Sequence, residues 1–382
     1  MSKFTIEKIF LFTEILILFL LTLGPIPSFF KLILYVFMFI LNIKHIKKIF
    51  TLEIIEWLFL LTMVYAMLLD FSNIDFDTPY SLAGFSYLLP FFIAKIYLSK
   101  YDLPTFLREI EKFTFVISII SLIGFSLQIF YPSILLKFPT IVFYGRPVKS
   151  ILLFSAISEI SVSASYSGIF VGNFLLRNSG IAFEPGAFQF VSNLGLCLVF
   201  YLSKLYGNKM ETKRIFIYVI TTLTTLSSTG IAILFIILVL NLYKEIKNIF
   251  LITIGGLGGR TLLINLIDNQ VKKMESGNFN NRFENSIYVI KNYPFLIFGI
   301  GSTGYDNIYS QNTQIGSWDL YTNLYLRFGI IYIFLLIYLL YKLARWQFTF
   351  FILLALTFLT ESILGPITMM LILYANSKKN LR

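Results

Sequence analysis

The sequence predicts an all-α, polytopic membrane protein, and three observations lead to this fold class. Of the 382 residues, 57% are hydrophobic and only 13% are charged, whereas a soluble domain carries roughly twice that share of charge. The apolar residues form runs of about 20, the length that crosses a bilayer as a helix. Lysines and arginines gather in short clusters between the runs, which is the distribution that orients helices across a membrane.

Taking the basic clusters as cytoplasmic predicts about 12 transmembrane helices, with both termini in the cytoplasm. The first run is followed by GPIPSFFK, which contains no small-residue cleavage site, so we predict a retained helix and not a removed signal peptide. The predicted spans are 9–23, 28–42, 52–69, 81–98, 113–131, 186–203, 215–228, 230–243, 249–267, 327–342, 347–361 and 363–376.

These helices are expected to form one integral membrane domain, residues 1–382. Two outer regions are too long to be simple turns: residues 132–185, and the long loop 268–326 between helices 9 and 10. Residues 215–243 are too short for two full spans, which need about 40 residues, and carry the polar run TTLTTLSSTG. We predict two short helices meeting at a Ser/Thr/Gly turn; the alternative is one long tilted helix.

The composition excludes several classes of function. Cys197 is the only cysteine and His45 the only histidine, so an internal disulfide, a cysteine-based metal site and most zinc and haem chemistry are excluded. The net charge of +11 is spread over the clusters between apolar runs. It is therefore attributed to membrane orientation and not to nucleic acid.

The stretch RNSGIAFEPGAFQF, residues 177–190, places charged residues beside a strongly apolar helix. Ionisable groups at the edge of a membrane are costly and tend to be functional. Pro185 suits a helix start, where the positive end of the helix dipole favours a carboxylate. Two interpretations stay open: Glu184 caps the helix while Arg177 extends to the interface, or both residues belong to a reaction site.

The long outer loop contains a second group of polar residues. Arg282 precedes a helix-like stretch, and Asp319, Asn323 and Arg327 lie where the next apolar helix is entered. Trp318 and the neighbouring tyrosines are typical of an aromatic belt at a membrane interface. Their faces would also stack on sugar rings, so both interpretations stay open.

Four segments, in chain order, resemble the O-antigen polymerase (Wzy) family. RNSGIAFEPG resembles its Arg, Gly and FEPG signature before a helix, and TLSSTGIAIL resembles its helix pair around S-x-TG. NRFENSIYVIKNYPFLIFGIGSTGYDN resembles its outer-loop segment, and TNLYLRFGIIYIFLLI resembles the helix entrance that follows. The resemblance covers about 177–342, and the two ends of the chain share only the hydrophobic topology.

The sequence leaves three alternatives to the polymerase open. The related O-antigen ligases, which transfer finished polysaccharide to the lipid A core, typically carry a histidine where this chain has Thr322, and this departure favours the polymerase. A transporter of polysaccharide or lipid-linked oligosaccharide is expected to place its charges near mid-helix, whereas here they gather at outer helix ends. A peptidoglycan-type glycosyltransferase of the SEDS group matches less well.

The resemblance implies glycosyl transfer at the outer face of the bacterial inner membrane, for O-antigen, capsule or exopolysaccharide. The donor is a glycan on a polyprenyl (undecaprenyl) diphosphate carrier, and the acceptor is a second lipid-linked repeat unit. No cofactor, metal or nucleic acid is implied; a chain-length regulator and a flippase are expected as partners. The expected roles are catalysis for Glu184 and Asp319, diphosphate binding for Arg177, Arg282 and Arg327, and sugar binding for Trp318, Tyr305 and Asn323.

Overall fold

A computed structural model describes most of the chain and agrees with the helical prediction. The described residues are 3–23, 28–45, 52–72, 85–131, 140–143, 146–150, 156–161, 170–171, 174–182, 184–242, 286–311, 319–361 and 363–374. Three helices are long and apolar enough to cross a membrane, Leu103–Phe130, Pro185–Tyr206 and Leu320–Trp346, and four further apolar helices are shorter. The protein is therefore mostly helical and suited to a membrane; the number of spans stays a prediction.

Apart from α9, which has the polar sequence GSTGYDNIYSQ and lies in the predicted outer loop, the helix bounds follow the apolar runs of the sequence. They are α1 (Lys3–Leu23), α2 (Ser28–Leu41), α3 (Ile54–Ser72), α4 (Phe85–Lys100), α5 (Leu103–Phe130), α6 (Pro185–Tyr206), α7 (Thr212–Thr224), α8 (Ser228–Leu242), α9 (Gly301–Gln311), α10 (Leu320–Trp346), α11 (Phe348–Thr360) and α12 (Pro366–Tyr374), with a further helical segment at 286–292. The predicted span 249–267 lies outside the described residues.

The turn predicted inside 215–243 is present. Helix α7 ends at Thr224 and α8 begins at Ser228. Leu226, between them, has a φ of 48°, a left-handed conformation that ends a helix. The alternative of one long tilted helix over this stretch is therefore wrong.

The chain divides into two compact units. The first consists of Met1–Phe106 together with Asn281–Arg382, and the second is Leu107–Asn280. This division does not test the prediction of one integral membrane domain over residues 1–382, which stays a prediction. Each unit has its own core and its own share of the candidate residues.

In the first unit, stacked aromatic rings join α3 to α10. The ring centroids of Phe59 and Tyr332 lie 4.3 Å apart, and those of Phe328 and Tyr332 lie 4.7 Å apart. All three side chains are fully buried.

Close approach of α1 to the start of α12 depends on Gly365, where a Cβ would lie 2.3 Å from the Cα of Thr22. Small residues at such contacts are typical of membrane helix pairs.

In the second unit, α6 is the central helix and is buried over most of its length. Tyr218 of α7 packs against Gly195 of α6, where an added Cβ would lie 2.2 Å from the ring. The Tyr218 hydroxyl donates to the side chain of Glu111 on α5, 3.1 Å away, and Glu111 also forms an ion pair with Arg214. Polar groups inside a membrane protein need partners. Here Tyr218 and Arg214 of α7 both bond Glu111 of α5, so the cluster joins the two helices.

The second unit also contains a five-stranded antiparallel sheet that the all-α prediction lacked. The strands are β1 (Thr140–Phe143), β2 (Arg146–Ser150), β3 (Ala156–Ser161), β4 (Phe170–Val171) and β5 (Phe174–Gly180), in the order β1-β2-β3-β5-β4. They lie in the predicted outer region 132–185. Each strand has only two to seven residues. The alternation of apolar and polar residues that identifies a strand is hard to recognise over so short a stretch in a sequence dominated by long apolar runs.

Candidate functional site

The first group of candidate residues lies where β5 leads into α6, and we call it the Arg177 corner (residues 177–184 with the turn at 225–226). The guanidinium of Arg177 donates from Nε to the carbonyl oxygen of Thr225 at 3.0 Å and from Nη2 to that of Leu226 at 3.3 Å. These carbonyls belong to the turn between α7 and α8. The planar fork of an arginine holds two acceptors in fixed directions, so the positive charge is fixed in one orientation.

Asn178 secures the same corner from the other side of the strand. Its Nδ2 donates to Ser121 Oγ at 3.1 Å and to Thr224 Oγ1 at 3.0 Å, and its Oδ1 accepts from the backbone N–H of Gly180 at 3.1 Å. Gly180 has a φ of +46°, and a Cβ there would lie 2.3 Å from the ring of Phe188. The glycine of the RNSG stretch is therefore required by both the turn and the contact.

Glu184 takes the N-cap position of α6 but does not cap it. Its backbone is extended, with φ −134° and ψ 127°, Pro185 occupies the first turn of the helix, and the side chain makes no capping hydrogen bond. The side chain is only partly buried. The interpretation of Glu184 as the side-chain cap of this helix is therefore wrong, although the helix does begin where the Pro-Gly pair predicts.

The second group lies in the other unit, and we call it the α9–α10 cluster (Ser286, Tyr305, Asp319, Asn323 and Arg327). Asp319 is the N-cap of α10: its Oδ1 accepts from the backbone N–H of Thr322 at 2.7 Å. Its Oδ2 accepts from Ser286 Oγ at 2.8 Å. Both oxygens therefore hold the start of α10 in place, which is the role the sequence left open for Glu184.

Arg327, Asn323 and Tyr305 contact one another in this cluster and are buried. Arg327 Nε donates to Asn323 Oδ1 at 2.8 Å, and its guanidinium carbon lies 4.2 Å from the centroid of the Tyr305 ring. Asn323 Nδ2 donates to the Tyr305 hydroxyl at 3.4 Å. A guanidinium over an aromatic face is a favourable arrangement in a water-poor setting, and it keeps the tyrosine ring fixed.

Helix α10 is interrupted just past this cluster. Gly329 has a φ of 82° and a ψ of −177°, which no helix contains. The residues 296–300 run alongside the break: Ile300 N–H donates to Leu326 O at 2.8 Å, and Ile330 N–H donates to Leu296 O at 2.7 Å. A broken helix is tolerated in a membrane protein when neighbouring groups bond the freed backbone, and this segment provides those bonds.

The close contact at the break depends on two glycines. A Cβ at Gly299 would lie 2.4 Å from Arg327 O, and a Cβ at Gly329 would lie 2.4 Å from Ile297 O. Both residues also have φ above +70°, so glycine is required on two grounds. Phe295, with a φ of 60°, is a strained non-glycine residue in the same segment, and such strain tends to occur at functional sites.

Asp70, near the end of α3, is a further candidate residue that the sequence analysis did not single out. It is 1% exposed, and its Oδ1 accepts from the backbone N–H of Thr303 in the first turn of α9 at 2.8 Å. The signal in the sequence was an acid at the end of the apolar run MVYAMLL. An ionisable residue within an apolar run is a candidate for function in its own right.

The predicted site residues thus fall into two groups of the described residues. Arg177 and Glu184 belong to the second unit, and Asp319, Asn323, Arg327 and Tyr305 belong to the first. Arg282 and Trp318 lie outside the described residues, so their placement stays a prediction. Within the described ranges, no group of three His, Cys, Asp or Glu side chains is arranged to hold a metal ion.

Comparison of the chain with known proteins gives no match to a protein-family model, to a curated protein or to a solved structure. The class that the fold defines is accordingly that of a mostly helical protein with apolar, membrane-length helices.

Proposed function

We propose that this protein is a membrane-embedded glycosyltransferase that lengthens a polysaccharide by joining lipid-linked repeat units, as the O-antigen polymerases that it resembles do. One observation carries the proposal: the four segments of the resemblance contact each other in pairs. Arg177 of the first segment bonds the Thr225 and Leu226 carbonyls of the second. Ile300 of the third bonds Leu326 of the fourth. Each pair lies within one of the two units, and segments that build a functional region are expected to contact each other in this way.

The reaction joins two carrier-bound sugars. A hydroxyl of the acceptor sugar attacks the anomeric carbon of the donor glycan, and the new glycosidic bond forms as the bond to the carrier diphosphate breaks. The diphosphate leaves with the electron pair, and the hydroxyl proton passes to a base. Fixed cations stabilise the charge that develops on the diphosphate, and a positioned carboxylate accepts the proton.

Glu184 is the preferred base. Its side chain makes no capping hydrogen bond and is only partly buried, so the carboxylate is not required for the helix start. Arg177 supplies a fixed positive charge in the same unit. The carboxylate of Asp319 is committed to Thr322 and Ser286, so we assign it mainly to the support of α10.

In the α9–α10 cluster, Tyr305 and Asn323 are proposed to contact sugar and Arg327 to stabilise anionic charge. Arg282 and Trp318 are proposed to act with them. The transfer is proposed to take place at the outer face of the bacterial inner membrane, where flipped lipid-linked repeat units, a chain-length regulator and a flippase would meet the protein. No cofactor is needed for the transfer.

The glycan of a deletion strain tests this function. We expect the ladder of long polysaccharide chains on a gel to disappear. A product that carries a single repeat unit should still be attached to its final acceptor. Full-length polymer accumulating on its lipid carrier, with loss of surface attachment, would identify a ligase instead. An unchanged ladder in the deletion strain would contradict both assignments.

A transporter is the second candidate, and the break in α10 at Gly329 favours it because transporters bind substrates at interrupted helices. The deletion strain separates this candidate as well. A transporter of repeat units would leave them on the cytoplasmic face and remove the single-repeat product together with the ladder.

A further inference from the structure

Asp70 and Ser302 are buried polar residues whose hydrogen-bonding capacity is incompletely used. Each is 1% exposed. Within the described part of the chain, Asp70 Oδ2 and Ser302 Oγ have no hydrogen-bond partner. A buried polar atom without a partner is costly, and in native structures such an atom often marks a bound molecule or a catalytic role.

The two residues lie at one place in the first unit. Asp70 Oδ1 accepts from Thr303 N–H at 2.8 Å, and a Cβ on Gly301 would lie 2.6 Å from the same oxygen. Ser302 stands between these two residues, so its backbone lies beside the Asp70 carboxylate. The first turn of α9, an 11-residue helix, thus holds the carboxylate by one oxygen and leaves the other to a donor.

The comparison with Asp319 shows that capping alone does not explain Asp70. Both aspartates cap a helix in the same unit through Oδ1, to Thr303 and to Thr322 respectively. Asp319 also uses Oδ2, which accepts from Ser286 Oγ. Asp70 has no equivalent donor among the described residues, and burial of the charged group without one is unfavourable.

The chemistry around this pair fits a hydroxyl group. A carboxylate oxygen accepts a hydrogen bond, and a serine hydroxyl both donates and accepts, so a hydroxyl group can bond either atom. Tyr305, one turn further along α9, carries the contacts to Asn323 and Arg327. The acid of α3, the hydroxyl and phenol of α9 and the amide of α10 all lie in the first unit, and these groups are suited to the many hydroxyls of a saccharide.

We propose that Asp70 and Ser302 bind a hydroxyl of the acceptor saccharide and extend the sugar-binding part of the α9–α10 cluster to α3. This assignment rests on the proposed function. A trapped water has the same hydroxyl chemistry, and the two sources differ in what their loss does: a water supports only the fold, whereas a sugar hydroxyl supports chain extension.

The test uses full-length variants returned to the deletion strain. Asp70→Asn keeps an oxygen for Thr303 N–H but replaces the second acceptor with a donor, and we expect chain extension to fall about 10- to 100-fold at normal protein level. Ser302→Ala removes a hydroxyl that has no hydrogen-bond partner among the described residues, so it should fold normally and lower extension about 3- to 10-fold. Ser118→Ala is the matched control, because Ser118 Oγ is also buried and has no hydrogen-bond partner among the described residues, and Ser118 lies in the second unit, outside both groups of site residues.

The outcomes separate the alternatives. Normal ladders from both variants, with lower thermal stability of purified Asp70→Asn, would assign the site to water and overturn the proposal; normal ladders with unchanged stability would also overturn it. If Asp70→Asn does not accumulate, Ser302→Ala alone decides, by a shortened or a normal ladder. Failure of the wild-type gene to restore polymer would overturn the proposed function, and this assignment with it.

Discussion

Glu184 and Asp319 occupy the same position before a membrane helix, yet their carboxylates do different things. Asp319 holds the start of α10 with one oxygen on Thr322 N–H and the other on Ser286. Glu184 precedes α6 without a side-chain capping bond, because Pro185 already presets the first turn and lacks an N–H. A carboxylate that the helix does not use is the better candidate for chemistry.

The two regions also differ in how they hold an arginine. Arg177 is fixed by two backbone carbonyls of a turn, whereas Arg327 is bonded to an asparagine side chain and lies over a tyrosine ring. Arg177 is thus held by backbone groups and Arg327 by side chains. Substitutions should therefore affect the two regions differently.

The largest effect is expected from Glu184→Gln. An amide has almost no basicity and presents a donor where an acceptor is needed. General-base assistance is worth about 10²- to 10⁴-fold, so we expect most chain extension to be lost. Immunoblots of membranes should show normal protein level, because the side chain does not cap α6. A normal ladder would show that Glu184 is not the base. It would contradict the proposed difference between Glu184 and Asp319.

Gly329→Ala is expected to destabilise the first unit strongly. The new Cβ would lie 2.4 Å from Ile297 O, at a φ of +82°, and with a ψ of −177° this backbone conformation alone costs about 1–3 kcal/mol for other residues. We expect a clear loss of thermal stability of the purified protein, and of its level in membranes.

Gly207→Ala is the matched control for this effect. Gly207 has a φ of +62°, but an added Cβ there would meet nothing within 4 Å. It should cost only the left-handed conformation itself, about 1–2 kcal/mol. Equal stability losses for both variants would show that the contact at the α10 break contributes nothing.

Arg177→Lys should reduce chain extension about tenfold or more. Lysine keeps the charge but cannot bond the Thr225 and Leu226 carbonyls with a planar fork. Arg345→Lys is the control, because Arg345 is exposed near the end of α10. Ladder length and membrane level should be measured together for both. Wild-type extension by Arg177→Lys would show that the fixed orientation of this guanidinium is not needed.

Asp319→Asn is expected to have the smallest effect. Asparagine still accepts from Thr322 N–H, and asparagine and aspartate are similarly good N-caps, so the stability change should be below about 1 kcal/mol. Thermal unfolding of the purified protein measures it, and the ladder should shorten only slightly. A loss of extension as large as that of Glu184→Gln would move the base to Asp319.

Most helices could be predicted because an apolar run is a local signal. The turn between α7 and α8 was also predictable, since TTLTTLSSTG interrupts such a run. The sheet was missed because its strands are short, with only two residues in β4, and because the strand order of the sheet depends on pairing between residues far apart in the sequence. Asp70 was missed because its contact with Thr303 joins positions 233 residues apart, and no local pattern reports such a contact.

The capping roles could not be assigned from sequence for a related reason. Glu184 before Pro-Gly and Asp319 before an apolar helix both fit a helix start. The distinction depends on partners that the sequence does not place, since Ser286 reaches Asp319 from 33 residues away. Local rules predicted where the helices begin, and tertiary contacts decided which carboxylate is used there.

The most direct test of the account is chain extension by the purified protein in vesicles. The substrate is the lipid-linked repeat unit extracted from membranes of the deletion strain. The account predicts products with several repeats on one carrier, together with released carrier diphosphate, from the wild-type protein and not from Glu184→Gln. Repeat units recovered unchanged from the folded wild-type protein would contradict it.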